Sequence, residues 1–160
     1  MTDQHRPLKN AFGRFATGIA IAACKKEAGD FAAITINSFT SVSLDPPMVL
    51  WCVEKRASTY PDFMAADSYS VSILCSEQQA FSERFARFSP KPLDPQEVEI
   101  WETGAPLLKQ RLAGFDCKIA KRHEAGDHVI MVGEIIRFDS VDQSPLVYFA
   151  SNYFAGLDDT

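Results

Sequence analysis

Three short segments concentrate side chains able to hold a ligand. The first is Thr35-Ile36-Asn37-Ser38-Phe39-Thr40-Ser41-Val42-Ser43-Leu44-Asp45-Pro46-Pro47, with six hydroxyl or amide side chains in nine residues. A solvated loop is often just as rich in Ser and Thr. Here Ile36, Phe39, Val42 and Leu44 interleave with the polar groups, which argues for a half-buried wall that presents many hydrogen-bonding groups to one partner. The second is Lys55-Arg56-Ala57-Ser58-Thr59-Tyr60-Pro61, where two cations and two hydroxyls meet the expected start of a helix. Such a grouping suits a phosphate through charge-assisted hydrogen bonds. It equally describes an ordinary helix cap beside surface cations. The third is Gly126-Asp127-His128, an imidazole directly after a turn, where a histidine is commonly just a tolerated polar residue.

Glycine and cysteine positions narrow the chemistry. The eight glycines lie at 13, 18, 29, 104, 114, 126, 133 and 156, and no two are separated by a single residue. That spacing excludes a Gly-x-Gly-x-x-Gly dinucleotide loop, a P-loop and a Gly-x-Ser-x-Gly elbow. Cys24, Cys52, Cys75 and Cys117 stand apart in apolar stretches, so reduced thiols are expected rather than a zinc or disulfide framework. His123 and His128 lack an evident third ligand, and no metal site is expected. With a net charge of −5 and no basic cluster longer than Lys25-Lys26, no nucleic-acid partner is expected. No apolar run approaches the roughly 18 residues of a membrane span. The polar start lacks a signal peptide's apolar stretch, so a cytoplasmic address without membrane contact is expected.

The elements that must position these segments are mostly strands. A chain of 160 residues, 46% hydrophobic, fits a single domain over 1–160 with a sizeable core. Leu8, Phe12, Phe15 and Ala16 recur at helical spacing and predict a helix over 7–16, with Gly18 placed to end it. Strands are expected over 19–24, 31–36, 48–54, 69–75, 115–122, 129–138 and 146–150. Glu-Ala-Gly-Asp occurs at 27–30 and again at 124–127, each copy between two strands, as hairpin turns would. One helix is expected from Ser58 or Thr59 through Phe63 and Met64, and another over 77–88 with Phe81, Phe85 and Phe88 on one stripe. The proline-rich stretch 89–97 reads as a loop and 106–113 as a further short helix. Short connections imply antiparallel pairing, and a closed or split β-barrel disposes of exposed edges. The expected fold is mainly β, a split β-barrel with short peripheral helices.

Phe15-Ala16-Thr17-Gly18, the run 37–47, Ser58-Thr59-Tyr60-Pro61, Arg84-Phe85-Ala86 and Gly126-Asp127-His128 occur in the order seen in flavin reductase-like domains. These are the small NAD(P)H:flavin oxidoreductase components of two-component monooxygenases, and the chain resembles them from about Phe12 to Leu157. The resemblance implies an FMN-binding split barrel and a homodimer. It also implies FMN or FAD as cofactor, NADH or NADPH as substrate, and a monooxygenase as partner. By the same resemblance Thr35, Asn37 and Ser38 line the flavin ring and ribityl chain, and Lys55, Ser58 and Thr59 hold its phosphate. Phe85 lies near the flavin's apolar side, and His128 approaches the nicotinamide with Tyr148 or Tyr153 close by. Two departures stand out. Ala33-Ile34-Thr35-Ile36-Asn37-Ser38 replaces an expected Gly-Met-Thr-Ala-Asn-Ser, and Ser151-Asn152 stands where a basic residue often separates the last tyrosines. Two other readings keep the fold. A flavin-binding electron carrier or sensor is disfavoured by the intact His128. A flavin oxidase of the pyridoxamine-phosphate type would need further cationic contacts that are not evident.

Overall fold

The computed structural model describes residues 3–156. After helix α1 (Arg6–Phe12) come β1 (Thr17–Gly18), β2 (Ala20–Lys25), β3 (Phe31–Ile36), β4 (Thr40–Leu44) and β5 (Pro47–Glu54). Helix α2 (Tyr60–Ala65), β6 (Ser68–Ile73), α3 (Gln79–Phe85), β7 (Val98–Ile100) and β8 (Pro106–Leu108) follow. The long hairpin β9 (Ala113–Ala125) and β10 (His128–Ser140) precedes β11 (Leu146–Phe149) and β12 (Asn152–Ala155). The protein is mainly β with a few short helices. No helix among the described residues is long and apolar enough to cross a membrane.

Seven strands form one antiparallel sheet in the order β3-β2-β6-β9-β10-β5-β4, while β1, β11 and β12 form a second and β7 and β8 a third. The large sheet is not closed, and its two edges, β3 and β4, are consecutive in the chain. Laid flat, six strand spacings of about 4.8 Å would hold those edges roughly 29 Å apart. The link from Ile36 to Thr40 spans at most roughly 14 Å. The sheet must therefore curl.

Period-two alternation sets the core. On β2, Ala20, Ala22 and Cys24 enter one cluster around Trp51, Phe63, Tyr69 and Met131. Ile21 and Ala23, with the preceding Ile19, enter a second around Leu74, Phe85 and Leu146. This strand is buried on both faces. Trp51 meets Phe63 and Tyr69 edge-on at centroid distances of 4.9 and 5.6 Å. Both Glu-Ala-Gly-Asp copies lie at hairpin turns, with positive φ at Gly29 (96°) and Gly126 (64°). Ala125 pairs with His128 across the two-residue turn Gly126-Asp127.

Several elements differ from the sequence expectation. Helix α1 ends at Phe12 with Gly13 as its cap, and Gly18 lies in β1. None of its residues is buried, and Phe12 and Phe15 are 69% and 79% exposed. Periodicity reveals an apolar face but not what covers it. The stretch 106–113 opens as strand β8, because Pro106, Leu107 and Leu108 are all buried and pair with β7. A 3-10 turn at Ser76–Gln78 leads into α3, which stops at Phe85, so Phe88 lies beyond the helix and is exposed.

Candidate functional site

Three separated stretches converge on one cavity of about 660 Å³. Its walls are the end of edge strand β3 and the Asn37 and Ser38 that follow it, the β5–α2 connection with Arg56, Ser58 and Thr59, and the end of α3 and the Arg87 and Phe88 that follow it. His128, the first residue of β10, completes the lining. Strand alternation explains the β5 side. Trp51 and Val53 point into the core, so Cys52 and Glu54 face the cavity. Burial raises the Cys52 thiol pKa above its ordinary 9.0, which keeps it protonated near neutrality.

Seven of the ten candidate residues line this cavity: Thr35, Asn37, Ser38, Ser58, Thr59, Phe85 and His128. Several already have partners. Thr35 Oγ1 donates to the Ser82 carbonyl at 2.6 Å and ties β3 to α3. The Cys52 backbone N–H donates to Ser38 Oγ at 2.9 Å, extending the contact between the β3–β4 link and β5. The Ser58 hydroxyl donates to the Phe88 carbonyl and joins two walls. The Asn37 amide has no side-chain hydrogen bond among the described residues. Thr59 is 9% exposed, and its buried hydroxyl has no partner there either. The side chain of Ile36 belongs to the core around Trp51.

Lys55, Tyr148 and Tyr153 stand outside the lining. Lys55 Nζ donates to the Gly126 carbonyl at 2.9 Å and pairs with Glu124, whose carboxylate raises its pKa. Its backbone N–H donates to the Asp127 carbonyl at 2.9 Å. Lys55 thus braces the turn that carries His128. Tyr148 lines a neighbouring cleft that shares Asn37 with the main cavity. The Tyr153 hydroxyl is 2.8 Å from Ser82 Oγ, so it reaches the same residue as Thr35.

His128 Nδ1 lies 2.7 Å from Asp127 Oδ1, and the imidazole holds that carboxyl below its ordinary 3.8. An ionised carboxylate only accepts, so Nδ1 carries the proton and Nε2 is left to other partners. Arg56 and Arg87 are cavity-lining cations without an ion pair among the described residues. Arg87 was not singled out by sequence, since nothing in a helix-end pattern says where a cation points. Nor does the sequence choose Arg56 over Lys55 for the cavity, because both lie in the turn after β5 ends at Glu54, where strand alternation no longer applies.

The donors present fit a phosphorylated planar ligand. A buried hydroxyl without a partner, two guanidinium groups and a free amide surround a space large enough for a nucleotide-sized molecule. Comparison with known proteins gives the same direction. Residues 12–157 match the family described as flavin reductase like domain. The chain is 38% identical over 146 residues to the FMN reductase (NADH) SmoA of Agrobacterium fabrum, covering 91% of this chain and 83% of SmoA. It is 37% identical over 153 residues to the reductase component of the flavin-dependent trigonelline monooxygenase of Acinetobacter baylyi, covering 93% of this chain but 48% of that longer protein. The Streptomyces globisporus NADH:FAD oxidoreductase SgcE6, solved with NAD and FAD fragments, superposes with a TM-score of 0.90 at 31% identity, over 98% of this chain and 95% of that one. The chain belongs to the flavin reductase like domain family.

Proposed function

We propose that this protein is an NAD(P)H-dependent flavin reductase that supplies reduced FMN or FAD to a monooxygenase. The observation that carries the reading is the convergence of Asn37-Ser38, Ser58-Thr59 and His128 on one cavity. Relatives named as NADH-dependent reductases and as a monooxygenase component support it. When bound, flavin and nicotinamide supply the redox chemistry, a hydride transfer between two rings. The protein's part is alignment and exclusion of water. Asn37 and the Ser38 segment hold the planar ring beside β3, and Thr35 fixes that strand against α3. Thr59 and the neighbouring cations hold the phosphate. Asp127 keeps the His128 ring in one tautomer and orientation at the rim, where it meets the nicotinamide.

The same reading takes the curled sheet as a split barrel forming one domain over the chain. It also takes the protein as a cytoplasmic homodimer. Exposed Phe12, Phe15, Leu44 and Phe138 support pairing, because each loses favourable burial in a monomer. Mixing the protein with NADH in air tests the function: NADH absorbance should fall only when FMN or FAD is added or already bound. No flavin-dependent fall with NADH or NADPH would refute it.

A further inference from the structure

Ser82 is fully buried on α3 and lies outside the cavity lining. Its carbonyl accepts two hydrogen bonds, one from the Ala86 N–H at the end of the helix at 3.1 Å and one from Thr35 Oγ1 at 2.6 Å. Its hydroxyl meets the Tyr153 hydroxyl at 2.8 Å. One residue thus joins the end of β3, helix α3 and the hairpin β11–β12. Phe85, three residues on and so on the same side of α3, lines the cavity together with Thr35.

The strands joined in this way belong to different sheets, β3 to the seven-stranded one and β12 to the three-stranded one. The Leu146 N–H ties the base of the hairpin to the Leu74 carbonyl at 3.1 Å. At its tip the Ala150 N–H donates to the Gly13 carbonyl, but Gly13 follows a helix with no buried residue. The Tyr153 hydroxyl adds a directional tie from the tip half of the hairpin to a buried element. Tyr148 stands opposite Tyr153 in register with the rings 5.2 Å apart, and it lines the cleft that shares Asn37 with the cavity. The spacing between the cavity wall and the cleft wall therefore runs through Thr35, Ser82 and Tyr153.

We infer that Ser82 is a positioning residue for hydride transfer, fixing the β3 wall and the β11–β12 hairpin at one spacing so that flavin and nicotinamide meet at reacting distance. The inference rests on the flavin-reductase reading above. The hydride leaves the nicotinamide with both electrons of its C–H bond and joins the flavin, so Ser82 exchanges no proton and its part is geometric. A misplacement of about 1 Å, arising far from the chemistry, can cost roughly 100-fold in rate.

Ser82→Ala and Tyr153→Phe each remove one hydroxyl of the pair. Each variant is loaded with FMN, mixed anaerobically with saturating NADH and followed by stopped flow. Both should slow flavin reduction by about tenfold or more, while FMN affinity in fluorescence titration changes less than about twofold. The double variant should be no slower than the slower single one, because both changes break the same bond. Reduction at the parent rate in both variants, even with a lowered melting temperature, would make the bond structural only and overturn the inference. So would losses that multiply in the double variant, or FMN affinity falling in step with the rate. Slowing in Tyr153→Phe alone would give that hydroxyl a contact of its own and likewise overturn it. If Ser82→Ala does not fold, Ser82→Cys, with a side chain of similar size and a weaker hydrogen-bonding group, takes its place. Parent protein whose bound FMN is reduced by neither NADH nor NADPH overturns the reductase reading itself, and the inference with it.

Discussion

His128 sits at the rim of the cavity with 42% of its side chain exposed and one ring nitrogen fixed by Asp127. An imidazole so placed can orient a second planar ligand without exchanging a proton. His128→Ala should therefore leave flavin affinity nearly unchanged and slow flavin reduction at limiting NADH by about tenfold, a loss near 1.4 kcal/mol of transition-state stabilisation. Stopped-flow reduction at the parent rate in a folded variant would remove His128 from the mechanism. Thr59 makes an opposite kind of prediction. Its buried hydroxyl lacks a partner, so Thr59→Val should leave flavin-free stability equal or raise it by about 1 kcal/mol. The same change should weaken FMN binding by roughly 1–3 kcal/mol and spare riboflavin, which has no phosphate. Thermal melts with and without each flavin check both halves. The hydroxyls and the histidine were legible because residue type and order announce them. The roles of Thr35 and Lys55 were not, because their hydrogen bonds join residues 47 and 71 positions apart.

At the scale of elements, the wall after α3 depends on how its loop is held. Arg84 lies over the Phe85 ring at 4.6 Å and donates to the carbonyls of Lys91 and Pro92 and to both oxygens of Glu97. The guanidinium beside Glu97 holds that carboxyl below its ordinary 4.5. A lowered folded pKa means that the ion pair stabilises the protein fully above about pH 4.5 and less as pH falls through the folded value. Glu97→Gln should thus cost about 0.5–1 kcal/mol at neutral pH, allowing for solvent screening, and progressively less in acid. Denaturation at pH 7 and at pH 3 measures the difference, and an equal cost at both would contradict the pairing. The central strands and both Gly-Asp hairpins were legible from alternation and turn chemistry. Short β4, β8 and β12 were not: β4 reads as a polar loop, β8 begins with proline, and β12 has four residues. What makes them strands is pairing with the neighbouring strand in the chain, β5, β7 and β11 respectively, which their own residue types do not announce.

The largest of the three sheets curls, and the cavity lies beside its edge strand β3, near the link that joins that sheet's two ends. Several large apolar side chains are open to solvent, with Leu44 at 93% and Phe15 at 79% exposure. Light scattering should accordingly give twice the 17.8 kDa chain mass at micromolar concentration, and a monomer with flavin bound would contradict the homodimer. Length and composition made a sizeable apolar core legible, whereas an apolar residue in sequence does not say what buries it. Whether this cavity brings flavin and nicotinamide together for reduction is read directly from the bound flavin. Flavin-loaded protein is mixed anaerobically with NADH and the visible flavin absorbance is followed in time. Complete bleaching of the bound flavin, faster than bleaching of the same flavin free in solution, is the predicted result. Flavin that stays bound and oxidised in excess NADH and in excess NADPH would make the protein a carrier and not a reductase.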